Sequence, residues 1–200
     1  DITRYFRSVF WVQLFTAILV NGDILLIRTF VTYQAEAGIY ASGMVFGKIS
    51  MYMATAVITT LFPVVAEQQT QGRHTKALFS RAMLFGGGIS IAFAAGLNIV
   101  RWPLITMLFS TRYSLATTYL LPISCFVVTV TLLSIRMNYL MVRGETGFLT
   151  LSMGSGYMLI LIQVWFFHAS VSQILLIMSA VLFVVFIRNV PRIFTTQPEV

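Results

Sequence analysis

Charge is what this sequence has least of. Only 10% of its 200 residues are Asp, Glu, Lys or Arg, against about 25% in an ordinary soluble domain. That excludes a solvated enzyme domain. It also excludes a disordered tail, which needs low hydrophobicity and high charge. There is one cysteine, Cys125, inside an apolar run. An intrachain disulfide and a cysteine-built metal cluster are therefore ruled out, and the thiol reads as a small buried hydrophobe. The two histidines, His74 and His168, lie far apart, one in a polar loop and one at the opposite membrane face. No hydrolase, kinase, Rossmann or P-loop pattern occurs, and no spacing of acids and histidines suggests an active site. The sequence predicts no enzyme, no cofactor and no metal.

Apolar length is what it has in abundance. Hydrophobic residues make up 58% of the chain, and the mean hydropathy is +0.88. A spanning helix needs about 20 mostly apolar residues, and six stretches qualify: residues 5–33, 37–68, 76–103, 114–142, 147–167 and 171–190. Strand alternation is absent, so the fold class is all-α, a single integral-membrane bundle of six transmembrane helices over residues 1–200. Short connections predict antiparallel neighbours. The first two stretches are long for one crossing and imply tilt or protrusion. Pro63 and Pro122 fall inside spans, where they loosen the backbone. Trp102 and Pro103 close the third span. Leu104–Phe109 is too short to cross and reads as an interfacial or re-entrant segment.

Thirteen basic residues against six acids give a net charge of +7. The basic residues sit singly between apolar runs, which excludes a nucleic-acid footprint and fits membrane anchors. One set of helix ends carries Arg4, Arg7, Arg73, Lys76, Arg81, Arg136, Arg143, Arg188 and Arg192, and the opposite set carries Arg28, Arg101 and Arg112. This asymmetry predicts cytoplasmic N and C termini. The chain begins at Asp1 with no signal peptide, as a piece of a longer protein would.

The informative residues are ionisable or polar at membrane depth, where a charge is expensive and faces a cavity or a partner. Lys48 lies roughly 16 Å along the second span. Lys48, Tyr52, Thr55 and Thr59 fall at i, i+4, i+7 and i+11, one narrow stripe. Such a stripe suits the wall of a water-filled cavity. The alternative is that Lys48 neutralises a carboxylate and only holds helices together. Asp23, at matching depth in the first span, is the natural partner for that role, or else it binds a coupling ion. Thr16 and Asp23 share one face of the first span, whereas Asn21 and Arg28 share nearly the opposite one, so the two pairs cannot both point at one cavity. Arg28 snorkels, pairs with Glu36 across the turn, or meets substrate. Arg136 is either a snorkelling anchor or a vestibule cation for an anionic headgroup. Gly43 with Gly47, and Gly88 with Ala92 and Gly96, are spaced for close helix approach; Gly86–Gly88 lies within a span.

These residues carry a resemblance. Asn21-x-Asp23 precedes Glu36-Ala37-Gly38-Ile39-Tyr40, then Leu61-Phe62-Pro63-Val64-Val65-Ala66 before a charged loop. Further on come Pro103-Leu104-Ile105, Leu108-Phe109-Ser110 and Tyr113. Over roughly residues 8–145 the chain resembles the C-terminal half of a polysaccharide flippase of the multidrug, oligosaccharidyl-lipid and polysaccharide exporter superfamily. The resemblance implies two six-helix bundles around a central cavity with alternating access. It implies movement of a polyprenyl-pyrophosphate-linked oligosaccharide across the bacterial cytoplasmic (inner) membrane, for O-antigen or lipopolysaccharide-type surface glycans. Under it Lys48, with Arg28 and Arg136, meets the pyrophosphate, and Tyr52, Thr55 and Thr59 line the sugar path. Asn21 and Asp23 form an ion-coupling or structural pair. The implied partners are membrane lipids, the missing N-terminal bundle and a polysaccharide polymerase, but no nucleic acid. Two alternatives stand beside it: a drug–cation antiporter of the same superfamily, and a non-transporting scaffold for glycan-assembly enzymes.

Overall fold

A computed structural model describes residues 2–31, 34–71 and 75–189. Of the features read above, Tyr33, Arg73, His74, Val190 and Arg192 lie outside the described residues. Every regular element among those described is helical. The order is α1 Ile2–Phe30, α2 Gln34–Thr70, α3 Lys76–Ile99, α4 Arg101–Phe109, a single 3-10 turn at Thr111–Tyr113, α5 Ala116–Val142, α6 Thr146–Phe166 and α7 Val171–Arg188.

Five helices are long and apolar enough to cross a membrane: α1 from Val9 onward, α3, α5, α6 and α7. The chain is thus a multi-pass membrane protein by length and composition. α2 runs for 37 residues, about 55 Å at ~1.5 Å per residue, and its single lysine, Lys48, falls near its middle. Large apolar side chains such as Leu84 (72% exposed) and Ile99 (81%) face outward. Hydrocarbon stabilises such a surface and water would not.

The third span ends earlier than its apolar run. α3 stops at Ile99, Val100 leaves helical geometry (φ −97°, ψ 15°), and α4 begins at Arg101. Pro103 then sits in the first turn of α4, where its missing N–H costs nothing. With 9 residues, α4 is too short to cross. Pro63 and Pro122 are both carried inside continuous helices.

α5 is the central post. Of its membrane-length segment 61% is buried, against 28–44% in the other four. α2 and α3 pack on one side of it, α7 on another, and α1 leans chiefly on α6 rather than on α2. Glycines permit the tightest approaches. A Cβ on Gly47 would stand 2.7 Å from Ile123 Cγ2, and one on Gly86 would stand 2.7 Å from Ile135 Cδ1. Gly88 and Gly96, by contrast, meet nothing within 4 Å. The close-packing glycines of α3 are therefore Gly86 and Gly87, not the Gly88–Gly96 series. Buried hydroxyls tie the same junction: Ser50 Oγ lies 3.3 Å from Ser90 Oγ, which donates to Thr131 Oγ1 at 3.4 Å. Cys125 is exposed on α5 rather than buried, because that face of the post turns outward.

Candidate functional site

Because α1 leans away from α2, a cleft opens between them with α5 as its floor. It encloses about 340 Å³. Its polar lining comes from three helices: Gln13, Thr16 and Asn21 of α1, Thr55 and Thr59 of α2, and Ser134 and Asn138 of α5. Thr16 and Asn21 belong to the two faces of α1 that seemed mutually exclusive. Both reach the cavity because the splay of α1 presents a broad sector rather than a stripe.

The donors in this lining are largely spent on their own helices. Thr16 Oγ1 donates to Val12 O at 2.8 Å, Thr55 Oγ1 to Met51 O at 2.8 Å, and Thr59 Oγ1 to Ala56 O at 2.9 Å. Asn138 Nδ2 donates to Ser134 O at 2.8 Å, and Asn21 Nδ2 to Ala17 O at 3.1 Å. The threonine hydroxyls are left with acceptor capacity, and the amides of Gln13, Asn21 and Asn138 keep N–H groups as well. The cleft is therefore suited to a hydroxyl-rich ligand, whose groups both donate and accept.

Lys48 supplies the cation. It is half-buried and lies seven residues before Thr55, two turns along the same stripe. It lies outside the cavity lining, but its Nζ donates to Asn21 Oδ1 at 3.2 Å, linking α2 to a residue that does line the cleft. Asn21 is neutral and does not neutralise the ammonium.

Asp23 is not the partner of Lys48. It is fully buried, and its Oδ2 accepts a short hydrogen bond from the Tyr40 hydroxyl, itself fully buried. Its Oδ1 has no hydrogen-bond partner. The carboxyl thus joins α1 to the start of α2, outside the cavity lining. Tyr40 was visible in sequence only as part of the Glu36–Tyr40 stretch. Its partnership with Asp23 depends on how the two helices cross.

The remaining sequence-predicted residues scatter. Tyr52 is 62% exposed and lies outside the cavity lining. Arg28 is exposed in the last turn of α1. Its suggested partner Glu36 instead accepts from Tyr119 Oη at 3.3 Å. Arg136 is 1% exposed, with its guanidinium 4.9 Å from the centre of the Phe186 ring on α7. Its neighbours Met137 and Asn138 face the cleft, so Arg136 points to the other side of the post.

Sequence reasoning missed Gln13, Ser134 and Asn138. Ser134 and Asn138 carry a usable signal, two polar residues four apart in an otherwise apolar run. No family model, no curated protein and no solved structure matches this chain.

Proposed function

We propose that the chain is one six-helix bundle of a lipid-linked oligosaccharide flippase, with α2 as the sixth span and both termini cytoplasmic. It acts in a bacterial inner membrane to deliver precursors for surface polysaccharide. The observation that carries this reading is the cleft itself, a cavity lined by threonine and amide side chains with Lys48 bonded to one of them, Asn21.

The chemistry divides along the cleft. A lysine ammonium without a carboxylate attracts a pyrophosphate. Acceptor oxygens of Thr16, Thr55 and Thr59, with Asn21 and Asn138 beside them, receive hydroxyl donors of the sugars. A volume of about 340 Å³ is at the small end for ligand pockets, about 300–1,000 Å³. It suits part of a headgroup, with the opposing bundle supplying the second wall. The two bundles then rock about the bound carrier. Tyr52, exposed beside Lys48 on α2, belongs in this scheme to the face shared with the other bundle. Arg28 contributes positive potential near the outer mouth without a direct contact. A drug–cation antiporter would want an acid in the cavity, and Asp23 is turned out of it.

The test uses the full-length protein in a host without a redundant flippase. Lys48→Met is expected to leave membrane abundance unchanged and to accumulate lipid-linked oligosaccharide in the cytoplasmic leaflet. Lys48→Arg, which keeps the charge, is expected to retain partial export. Normal leaflet distribution with Lys48→Met would remove the lysine from the mechanism. Efflux of a cationic dye in its place would move the reading to an antiporter.

A further inference from the structure

The strongest feature outside the cleft is Arg136. It lies six residues before the end of α5, about 9 Å along the helix axis. That is within one arginine side-chain length of the level at which acyl chains give way to headgroups. An ordinary anchor at this level extends its guanidinium outward. Arg188 does so: it is exposed, beside Ser155 and the Phe148 ring. Arg136 turns inward instead. It is 1% exposed and stacks on Phe186.

Its Nε and Nη2 are both buried without a hydrogen-bond partner. These two atoms form one edge of the guanidinium, the side-on fork that binds a carboxylate or phosphate through two parallel hydrogen bonds. A cation–π contact does not replace the hydration of a buried charge. Three residues beyond Phe186 stands Asn189, 1% exposed. Its Nδ2 is held by Ser152 Oγ at 3.2 Å and by Val185 O, while its Oδ1 has no partner. The α5–α7 seam at this end therefore carries an unmatched two-pronged donor and an unmatched acceptor.

We infer that Arg136 and Asn189 form a second, separate oxyanion site, taking a phosphate diester whose headgroup also carries a donor. Phospholipid of the adjoining leaflet with a hydroxyl-bearing headgroup has this chemistry. The diester engages the Arg136 fork, and a headgroup hydroxyl donates to Asn189 Oδ1. The seam lies on the side of α5 away from the cleft and both groups are closed to water there, so the diester enters by parting α5 and α7, and the site does not depend on what the cleft transports.

The experiment is native mass spectrometry of the full-length protein in mild detergent, titrated with phosphatidylglycerol or phosphatidylcholine. The wild type is expected to retain one phosphatidylglycerol, and Arg136→Met to lower that bound fraction at least about tenfold. Arg136→Lys keeps the charge but not the fork and is expected to fall between the two; it also serves if the methionine variant does not fold. Arg188→Gln should leave retention unchanged. If inorganic phosphate raises the melting temperature through Arg136 while no lipid is retained, the oxyanion site stands and its source is a soluble anion. Equal lipid retention and equal phosphate response in wild type and Arg136→Lys would overturn the site and leave the guanidinium solvated by water. So would an equal loss in Arg188→Gln, which would mark general surface attraction.

Discussion

Tyr40→Phe tests the joint that sets the shape of the cleft. Asp23 is fully buried, its Oδ2 accepts the Tyr40 hydroxyl, and its Oδ1 is already unpartnered. Removing the hydroxyl leaves a buried carboxyl with no hydrogen bond at all. An unsatisfied buried acceptor costs about 1–3 kcal/mol, and more if it is ionised. A chain of this size shifts by roughly 2–4 °C per kcal/mol, so the melting temperature should fall by about 2–12 °C. Asp23→Asn keeps an acceptor for Tyr40 and should cost under about 1 kcal/mol. The double variant Tyr40→Phe with Asp23→Leu removes both partners and should recover most of the loss, which a double-mutant cycle reads as coupling of about 1–2 kcal/mol. Hydrogen exchange locates the effect. Because α1 leans on α6 far more than on α2, amides around Asp23 and Tyr40 should exchange faster in the single variant while those of α6 do not. Tyr40→Phe melting within about 1 °C of wild type, with unchanged exchange around Asp23, would refute the joint.

Gly47→Val should destabilise by about 1–3 kcal/mol, because the new Cβ meets Ile123 at 2.7 Å and Val127 at 3.0 Å. Gly96→Ala, where a Cβ meets nothing within 4 Å, should be neutral or gain up to about 1 kcal/mol from helix propensity. Thermal melts of both variants check the pair, and equal effects would sink the packing argument. Cys125, exposed on α5 and about 14 Å from its start, should resist apolar and charged maleimides alike in intact membranes, because a thiol facing hydrocarbon is a poor nucleophile, and should label once the protein is denatured. Labelling by a charged maleimide in intact membranes would place it in water.

Much of the fold was legible as apolar length. The runs around α1, α3, α5, α6 and α7 stand out because hydrocarbon demands about 20 apolar residues per crossing. The stretch after Pro103 was too short for that and is the short helix α4. Of the polar stripe of α2, read from spacing alone, Thr55 and Thr59 line the cleft, whereas Lys48 and Tyr52 lie outside it. Which face of the other helices turns inward was not legible. In a soluble helix the apolar face marks the core. In a membrane the surroundings are as apolar as the core, so that contrast disappears.

Sequence by itself thus determined that the chain is helical and apolar enough to cross a membrane several times, and singled out Lys48, Asn21 and Asp23 as polar residues within long apolar runs. Tertiary structure alone decided that Asp23 answers Tyr40 while Lys48 answers Asn21. It also turned Arg136 toward α7, exposed Cys125, and made Gly86 rather than Gly88 the point of contact. Each of these depends on the rotation of a helix about its own axis. In lipid that rotation is set by the fit of small residues and a few hydrogen bonds between neighbours, not by a boundary between oil and water.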